Sequence, residues 1–122
     1  MKTLKILVAL LALTVGLAQA QQKAKTVKLE QTTGAFTQEK LNLKPGKYVF
    51  EVTNSGIDHE VAFVLAPKKS EVTQEDHIAN AYLANPVADG QTAQSQEVVL
   101  EKGEYVYFCP MNPTPQYTLV VK

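Results

Sequence analysis

The segment 103–117 limits the fold of this chain more than any other. Its first part alternates as a β-strand does, with Tyr105, Tyr107 and Cys109 on one side and Val106 and Phe108 on the other. The predicted strand ends at the only cysteine of the chain. A lone thiol in this position is either a buried small residue or a metal ligand.

A proline-rich loop follows the cysteine. Pro110, Pro113 and Pro115 precede a second strand-like segment that begins at Gln116. Because proline fixes φ and lacks a backbone N–H, we expect this loop to be stiff and to lie outside any sheet ladder.

The first twenty residues have the pattern of an export signal. Lys2 and Lys5 give a positive start, residues 6–17 are apolar, and Ala18-Gln19-Ala20 has the small residues of a cleavage site. The apolar part is shorter than the roughly 20 residues that span a bilayer. We therefore expect residues 1–20 to be a signal peptide and residues 21–122 to form one exported, periplasmic domain that is not inserted in the membrane.

The charge pattern argues against nucleic acid as a partner. All 12 basic residues are lysines, and loss of Lys2 and Lys5 leaves ten of them against 12 acidic residues. Phosphate contacts need clustered positive charge, and no basic run occurs in the sequence. A single cysteine also excludes an internal disulfide, so in an oxidising compartment we expect Cys109 to be buried, liganded or paired with another molecule.

Short alternating segments separated by turns predict an all-β Greek-key sandwich. Strands are expected over 26–30, 36–43, 48–53, 61–66, 93–100, 103–109 and 117–121. The segment 61–66 is apolar on both sides, which is typical of a central strand.

One segment departs from the β pattern. Thr73 can cap a helix, and Ile78, Ala79, Tyr82 and Leu83 recur at helical spacing. These features predict a short helical insertion over about 74–83.

Three motifs taken together resemble the cupredoxins, which are small exported β-sandwiches that hold one copper ion. The motifs are Asn54-x-Gly56-x-x-His59, the segment 90–105 with Gly90-Gln91-Thr92, and Tyr105-x-Tyr107-x-Cys109-Pro110. The resemblance covers nearly the whole of residues 21–122. It implies that His59 and Cys109 are copper ligands, close together at one end of the sandwich, in a protein that carries single electrons or handles copper.

The ligand set departs from the cupredoxin pattern. Cupredoxins have a second histidine a few residues after the cysteine, but Asn112 and Thr114 stand at those spacings and no histidine follows Cys109. Three outcomes remain: a thioether-containing copper site formed by His59, Cys109 and Met111, a site completed by His77 or by a partner, or no metal.

Three functions follow from these features. The first is copper binding for electron transfer or copper handling, with a redox or copper-transfer protein as partner. The second is a metal-free interaction module that has lost its site, associated by resemblance with envelope metal uptake. An enzyme with Cys109 as nucleophile and His59 as base is disfavoured, because no motif supplies an orienting group or an oxyanion donor.

Overall fold

Two β-sheets face each other in the computed structural model, which describes residues 23–122. The strands are β1 Lys25–Thr32, β2 Ala35–Phe36, β3 Lys40–Leu43, β4 Gly46–Asn54, β5 Val64–Pro67, β6 Thr92–Gln94, β7 Val98–Leu100, β8 Gly103–Phe108 and β9 Tyr117–Val121. The first sheet has the order β2-β1-β4-β6, with β7 also paired to β4, and the second has the order β3-β9-β8-β5. The predicted β-sandwich is confirmed.

Aromatic rings from the two sheets fill the space between them. Phe36 of the first sheet meets Tyr107 and Tyr117 of the second edge-to-face, with ring centroids 5.3 and 5.8 Å apart. Phe50 stacks on Phe63 at 5.1 Å. The alternation of the strands thus directs one side of each sheet into a common apolar core.

Three of the predicted strands differ from the observed ones by more than one or two residues at their ends. The segment 36–43 is divided, because the chain leaves the first sheet after Phe36 and enters the second at Lys40. The segment 93–100 forms both β6 and β7, which pair in turn with β4. In the segment 61–66 only Val64–Ala66 joins a strand, and that strand is at the edge of its sheet rather than in the centre.

The outer edge of β5 is covered by the segment that was predicted to be helical. The backbone N–H of Ile78 donates to the carbonyl of Leu65 at 2.8 Å. This cover explains why an edge strand is apolar on both sides. The predicted continuous helix over 74–83 is replaced by two 3₁₀ turns, Gln74–Asp76 and Ala79–Ala81, because this contact with β5 interrupts the helical hydrogen bonds at Ile78.

The described residues contain no helix that is long and apolar enough to cross a membrane. The predicted signal peptide of residues 1–20 lies outside the described part of the chain.

Candidate functional site

Three loops meet at one end of the sandwich, which we call the loop end: residues 54–63 from the last residue of β4 onwards, residues 85–91 before β6, and residues 109–116 after β8. Asn54 joins the first two of these loops. Its buried amide nitrogen donates to the carbonyls of Ile57, His59 and Val87 at 3.0–3.2 Å, and its side-chain oxygen accepts from Ile57 N at 2.9 Å. Gly56, at φ 84°, provides the left-handed conformation that this tight turn requires. The Asn-x-Gly motif therefore organises the loops.

The thiol of Cys109 is enclosed by the backbone of two loops. Its side chain is only 1% exposed. The Sγ atom accepts the N–H of Ala62 at 3.3 Å and the N–H of Asn112 at 3.2 Å. The Cys109 N–H donates to the hydroxyl oxygen of Thr114 at 3.1 Å, which closes the start of the proline-rich loop.

Asn112 and Gln31 complete a closed ring of hydrogen bonds around this thiol. Asn112 Nδ2 donates to Gln31 Oε1 at 3.1 Å, and Gln31 Nε2 donates to the Ala62 carbonyl at 2.7 Å. Since the N–H groups of Ala62 and Asn112 both donate to Cys109 Sγ, the four residues form a cycle. We call Gln31, Ala62, Cys109 and Asn112 the amide ring.

The amide ring is also fixed to the turn between β1 and β2. Asn112 Nδ2 donates to the Thr32 carbonyl at 2.9 Å, and Asn112 Oδ1 accepts the Gly34 N–H at 2.7 Å. Gln31 and Asn112 are 0% and 2% exposed, so these bonds satisfy polar groups that water cannot reach. No buried side-chain nitrogen or oxygen in residues 23–122 lacks a partner.

His59 belongs to the loop that contacts the thiol, but another residue of that loop makes the contact. Its ring is exposed, and Nδ1 lies 2.9 Å from the Glu60 carbonyl oxygen. Because a carbonyl oxygen only accepts, this contact requires a proton on Nδ1. The predicted approach of the His59 and Cys109 side chains stays a prediction.

Met111 and His77 have different surroundings from Cys109. Met111 is 45% exposed, although both its neighbour Asn112 and Cys109 are buried. His77 Nδ1 is hydrogen bonded to the hydroxyl of Tyr82 at 2.7 Å, and its ring meets Phe108 edge-to-face at 6.0 Å. Neither side chain takes part in the amide ring.

The expected copper site of His59, Cys109 and Met111 stays a prediction. Such a site needs three strong donors around one point. Within residues 23–122 no three histidine, cysteine or acidic side chains gather in that way. Asn112 and Thr114, which stand where the resemblance expects a histidine, are engaged in hydrogen bonds that hold the loop.

The burial of Gln31, a member of the amide ring, could have been predicted from the sequence. Val27, Leu29 and Gln31 alternate along β1, and all three are buried. A glutamine in the inward-facing series of a strand indicates a buried hydrogen-bonding role. Its partner Asn112 was recognised only as a replacement for histidine.

An apolar trough lies where the loop end meets the segment 74–83. It consists of two adjoining recesses of about 380 and 200 Å³ that share Ala62, Phe63 and Tyr82. His77 and Pro110 line the larger recess, and Pro86 lines the smaller. The exposed ring of Tyr82 stands between them.

The charges of the loop end are all negative. Its three loops contain Asp58, Glu60 and Asp89 and no lysine. All three acidic residues are exposed. Asp89 Oδ1 accepts the Gly56 N–H at 3.1 Å, which places Asp89 beside the loop that carries the other two.

Comparisons with solved structures identify the fold. Auracyanin A, a "blue" copper protein from the green thermophilic photosynthetic bacterium Chloroflexus aurantiacus, matches with a TM-score of 0.64 and 15% identity over 82% of this chain and 100% of its own. Auracyanin B gives 0.65 and 15% over 84% and 91%. Amicyanin from Paracoccus versutus gives 0.52 and 21% over 84% and 87%. No protein-family model and no curated protein sequence matches. The chain therefore has a cupredoxin-like fold.

Proposed function

We propose that this chain is a metal-independent interaction module with a cupredoxin-like fold, exported to the cell envelope, which binds a partner protein through its loop end. The observation that carries the proposal is the amide ring around Cys109. The proposal of export to the periplasm rests on the sequence of residues 1–20.

The amide ring supplies the cross-links that a metal ion would otherwise make between loops. The four bonds of the amide ring are 2.7–3.3 Å long and connect the proline-rich loop to β1 and to the loop at Ala62. Buried hydrogen bonds of this kind rigidify a site when every member is satisfied. The loop end thus has a defined shape without a ligand.

A partner with an apolar anchor and a basic rim fits this surface. Open surface recesses of about 380 and 200 Å³ can take one or two side chains of a partner. Asp58, Glu60 and Asp89 would attract lysine or arginine side chains around the anchor. Tyr82, 41% exposed in the trough, is the residue most suited to be the energetic centre of such an interface.

Site-specific photo-crosslinking in the native envelope tests the surface. A photoreactive side chain at position 82 should give a discrete crosslinked partner, and Asp58→Asn with Glu60→Gln should reduce the yield. The matched control is position 99, because Val99 is an exposed hydrophobic residue that lies outside the trough, on β7. Equal crosslinking from both positions would show that the trough has no special role.

Copper handling by His59, Cys109 and Met111 is the second candidate function. The observation in its favour is the pair of N–H groups directed at Cys109 Sγ, since hydrogen bonds to sulfur tune copper–thiolate sites. His59 and Met111 would both have to turn from the surface towards the thiol, and a redox or copper-transfer protein would then be the partner.

Copper titration separates the two candidates. Purified protein is titrated with Cu(I) under anaerobic conditions and with Cu(II) in air, and bound copper and Tm are measured. The metal-independent proposal expects no stoichiometric binding and an unchanged Tm, since a ligand that binds only the folded state raises Tm. One tightly bound copper and a raised Tm, both absent in Cys109→Ser, would favour copper handling instead.

A further inference from the structure

A second surface feature lies at the end of the sandwich opposite to Cys109. Strand β4 begins at Gly46 and runs nine residues to Asn54, which organises the loop end. Nine extended residues cover about 30 Å. Around Gly46 there is a recess of about 210 Å³ that is lined by four lysines: Lys23, Lys25, Lys44 and Lys47. We call it the basic recess.

The backbone that carries these lysines is held by strand pairing and by a side-chain hydrogen bond. Lys25 lies opposite Tyr48 in the parallel pairing of β1 with β4. Tyr48 is 5% exposed, and its hydroxyl donates to the carbonyl of Lys44. This bond ties the turn before β4 to the strand, so Lys44 and Lys47 leave the surface from defined backbone positions.

No acidic residue lines the basic recess, and the one ion pair within residues 23–122 joins Lys69 to Asp76 elsewhere in the chain. Another surface recess, of about 350 Å³, provides a comparison, because Lys40 and Lys68 share it with Glu39 and Glu104. Side chains of both signs therefore line that recess, whereas the charged side chains that line the basic recess are all positive.

Concentrated positive charge opposes folding unless an anion is bound. Like charges repel each other, and the repulsion is stronger near a protein surface than in bulk water. A bound multivalent anion would replace this repulsion between lysines with attraction, because lysine is a common ligand of phosphate. The volume suits a compact oxyanion better than a drug-sized molecule, which needs about 300 Å³ or more.

We propose that the basic recess binds a phosphate-bearing anion, either a soluble phosphate compound or the headgroup of an anionic lipid. Both sources present the same phosphate oxygens to the four lysines. The site is separate from the loop end and independent of the function proposed there.

Two probes distinguish the sources of phosphate. Binding of pyrophosphate is measured by calorimetry, and binding to vesicles containing phosphatidylglycerol is measured by sedimentation, with neutral phosphatidylcholine vesicles as the blank. Binding to either phosphate-bearing probe, weakened by added salt, supports the proposal and identifies the source.

The decisive variants are Lys44→Gln with Lys47→Gln, compared with Lys40→Gln with Lys68→Gln. Both double variants change the net charge equally, and all four lysines are exposed, so the fold should survive in each. Vesicle affinity should fall about thirtyfold in the first pair, which corresponds to about 1 kcal/mol for each lysine near an anionic surface. It should change less than threefold in the second. An equal loss of vesicle affinity in both double variants would mean that net charge alone causes the effect, and would contradict the proposed site. An absence of binding to both phosphate-bearing probes would contradict it as well.

Discussion

The side-chain amide of Asn112 donates to the side-chain oxygen of Gln31 at 3.1 Å, and this bond joins two buried residues that are 81 positions apart in the sequence. Through it, the loop after Cys109 is fastened to the strand that begins the sandwich. The backbone of the Ala62 loop closes the cycle from the other side. The loop end is thereby held by side-chain amides.

The first prediction concerns the energy of this link. Asn112→Ala should lower the free energy of unfolding by about 3 kcal/mol, because a buried polar group left without a partner costs about 1–3 kcal/mol. Gln31→Ala should cost a similar amount. The double variant should cost clearly less than the sum, since each change removes the same bond. Urea unfolding of all four proteins measures the coupling.

An exposed amide provides the control for this cycle. Asn42→Ala, at an exposed position of β3, should change the free energy of unfolding by less than about 0.5 kcal/mol. Additive effects of the Asn112 and Gln31 substitutions would contradict the cross-link.

The sandwich could be predicted because its signals are local. Alternation of apolar residues identified the strands, and the turn residues between them identified their ends. The crossing between sheets after Phe36 was missed, because Phe36, Leu41 and Leu43 are apolar in either arrangement. The prediction of a continuous helix over 74–83 was wrong for a similar reason. Its periodicity is real, but the contact of Ile78 with β5 is a tertiary interaction that local spacing does not contain.

The candidate site was less predictable than the fold. Cys109 was located at the correct strand end, and its burial was one of the alternatives considered. The amide ring was missed because its members come from three distant segments, and nothing local in Asn112 identifies Gln31 as its partner. A ligand motif indicates which residues share an end of the sandwich, whereas the direction of each side chain depends on packing.

The second prediction concerns the accessibility of the thiol. With a side chain only 1% exposed, Cys109 should react with a thiol reagent at least about a hundredfold more slowly in the native protein than in denaturant, because it reacts only from opened states and each tenfold corresponds to about 1.4 kcal/mol of opening free energy. Asn112→Ala should accelerate the native reaction, and Asn42→Ala should not. A fast native reaction would mean that the thiol is exposed in solution.

The third prediction concerns Asp76, at the first 3₁₀ turn. The backbone N–H of Thr73 donates to its carboxylate at 2.7 Å and Lys69 lies at 3.1 Å, and these contacts hold the pKa of Asp76 below its ordinary value of 3.8. A carboxylate with a lowered pKa stabilises the fold above its unfolded pKa and loses this contribution as the pH falls through the folded value. Asp76→Asn should therefore lower Tm at pH 7, and the difference from the unmodified protein should shrink below pH 3.8. Glu75→Gln, at the exposed position before it, is the control, and an equal effect of that change would contradict the assignment.

The last prediction concerns Tyr107, whose hydroxyl donates to the Gln38 carbonyl at 2.6 Å inside the core. Burial, followed by the nearby charges of Tyr117 and Glu39, raises its pKa to about 12 from the ordinary value of 10.0. The folded state therefore disfavours the phenolate, so the contribution of Tyr107 is complete below pH 10 and is lost as the pH rises towards 12. The loss should amount to about 2–3 kcal/mol, since each pKa unit corresponds to about 1.4 kcal/mol.

Urea unfolding between pH 9 and pH 12 measures this loss. Tyr107→Phe keeps the ring and should flatten the decline in the free energy of unfolding, although it lowers the value at pH 9 by about 1 kcal/mol through the lost hydrogen bond. Tyr105→Phe is the matched control, because the Tyr105 hydroxyl also donates to a carbonyl, that of Glu101 at 2.9 Å, from a less buried position. Its decline should follow that of the unmodified protein. If the free energy of unfolding of both variants declined as steeply as that of the unmodified protein, the alkaline sensitivity of the fold would have to arise outside the core between the two sheets.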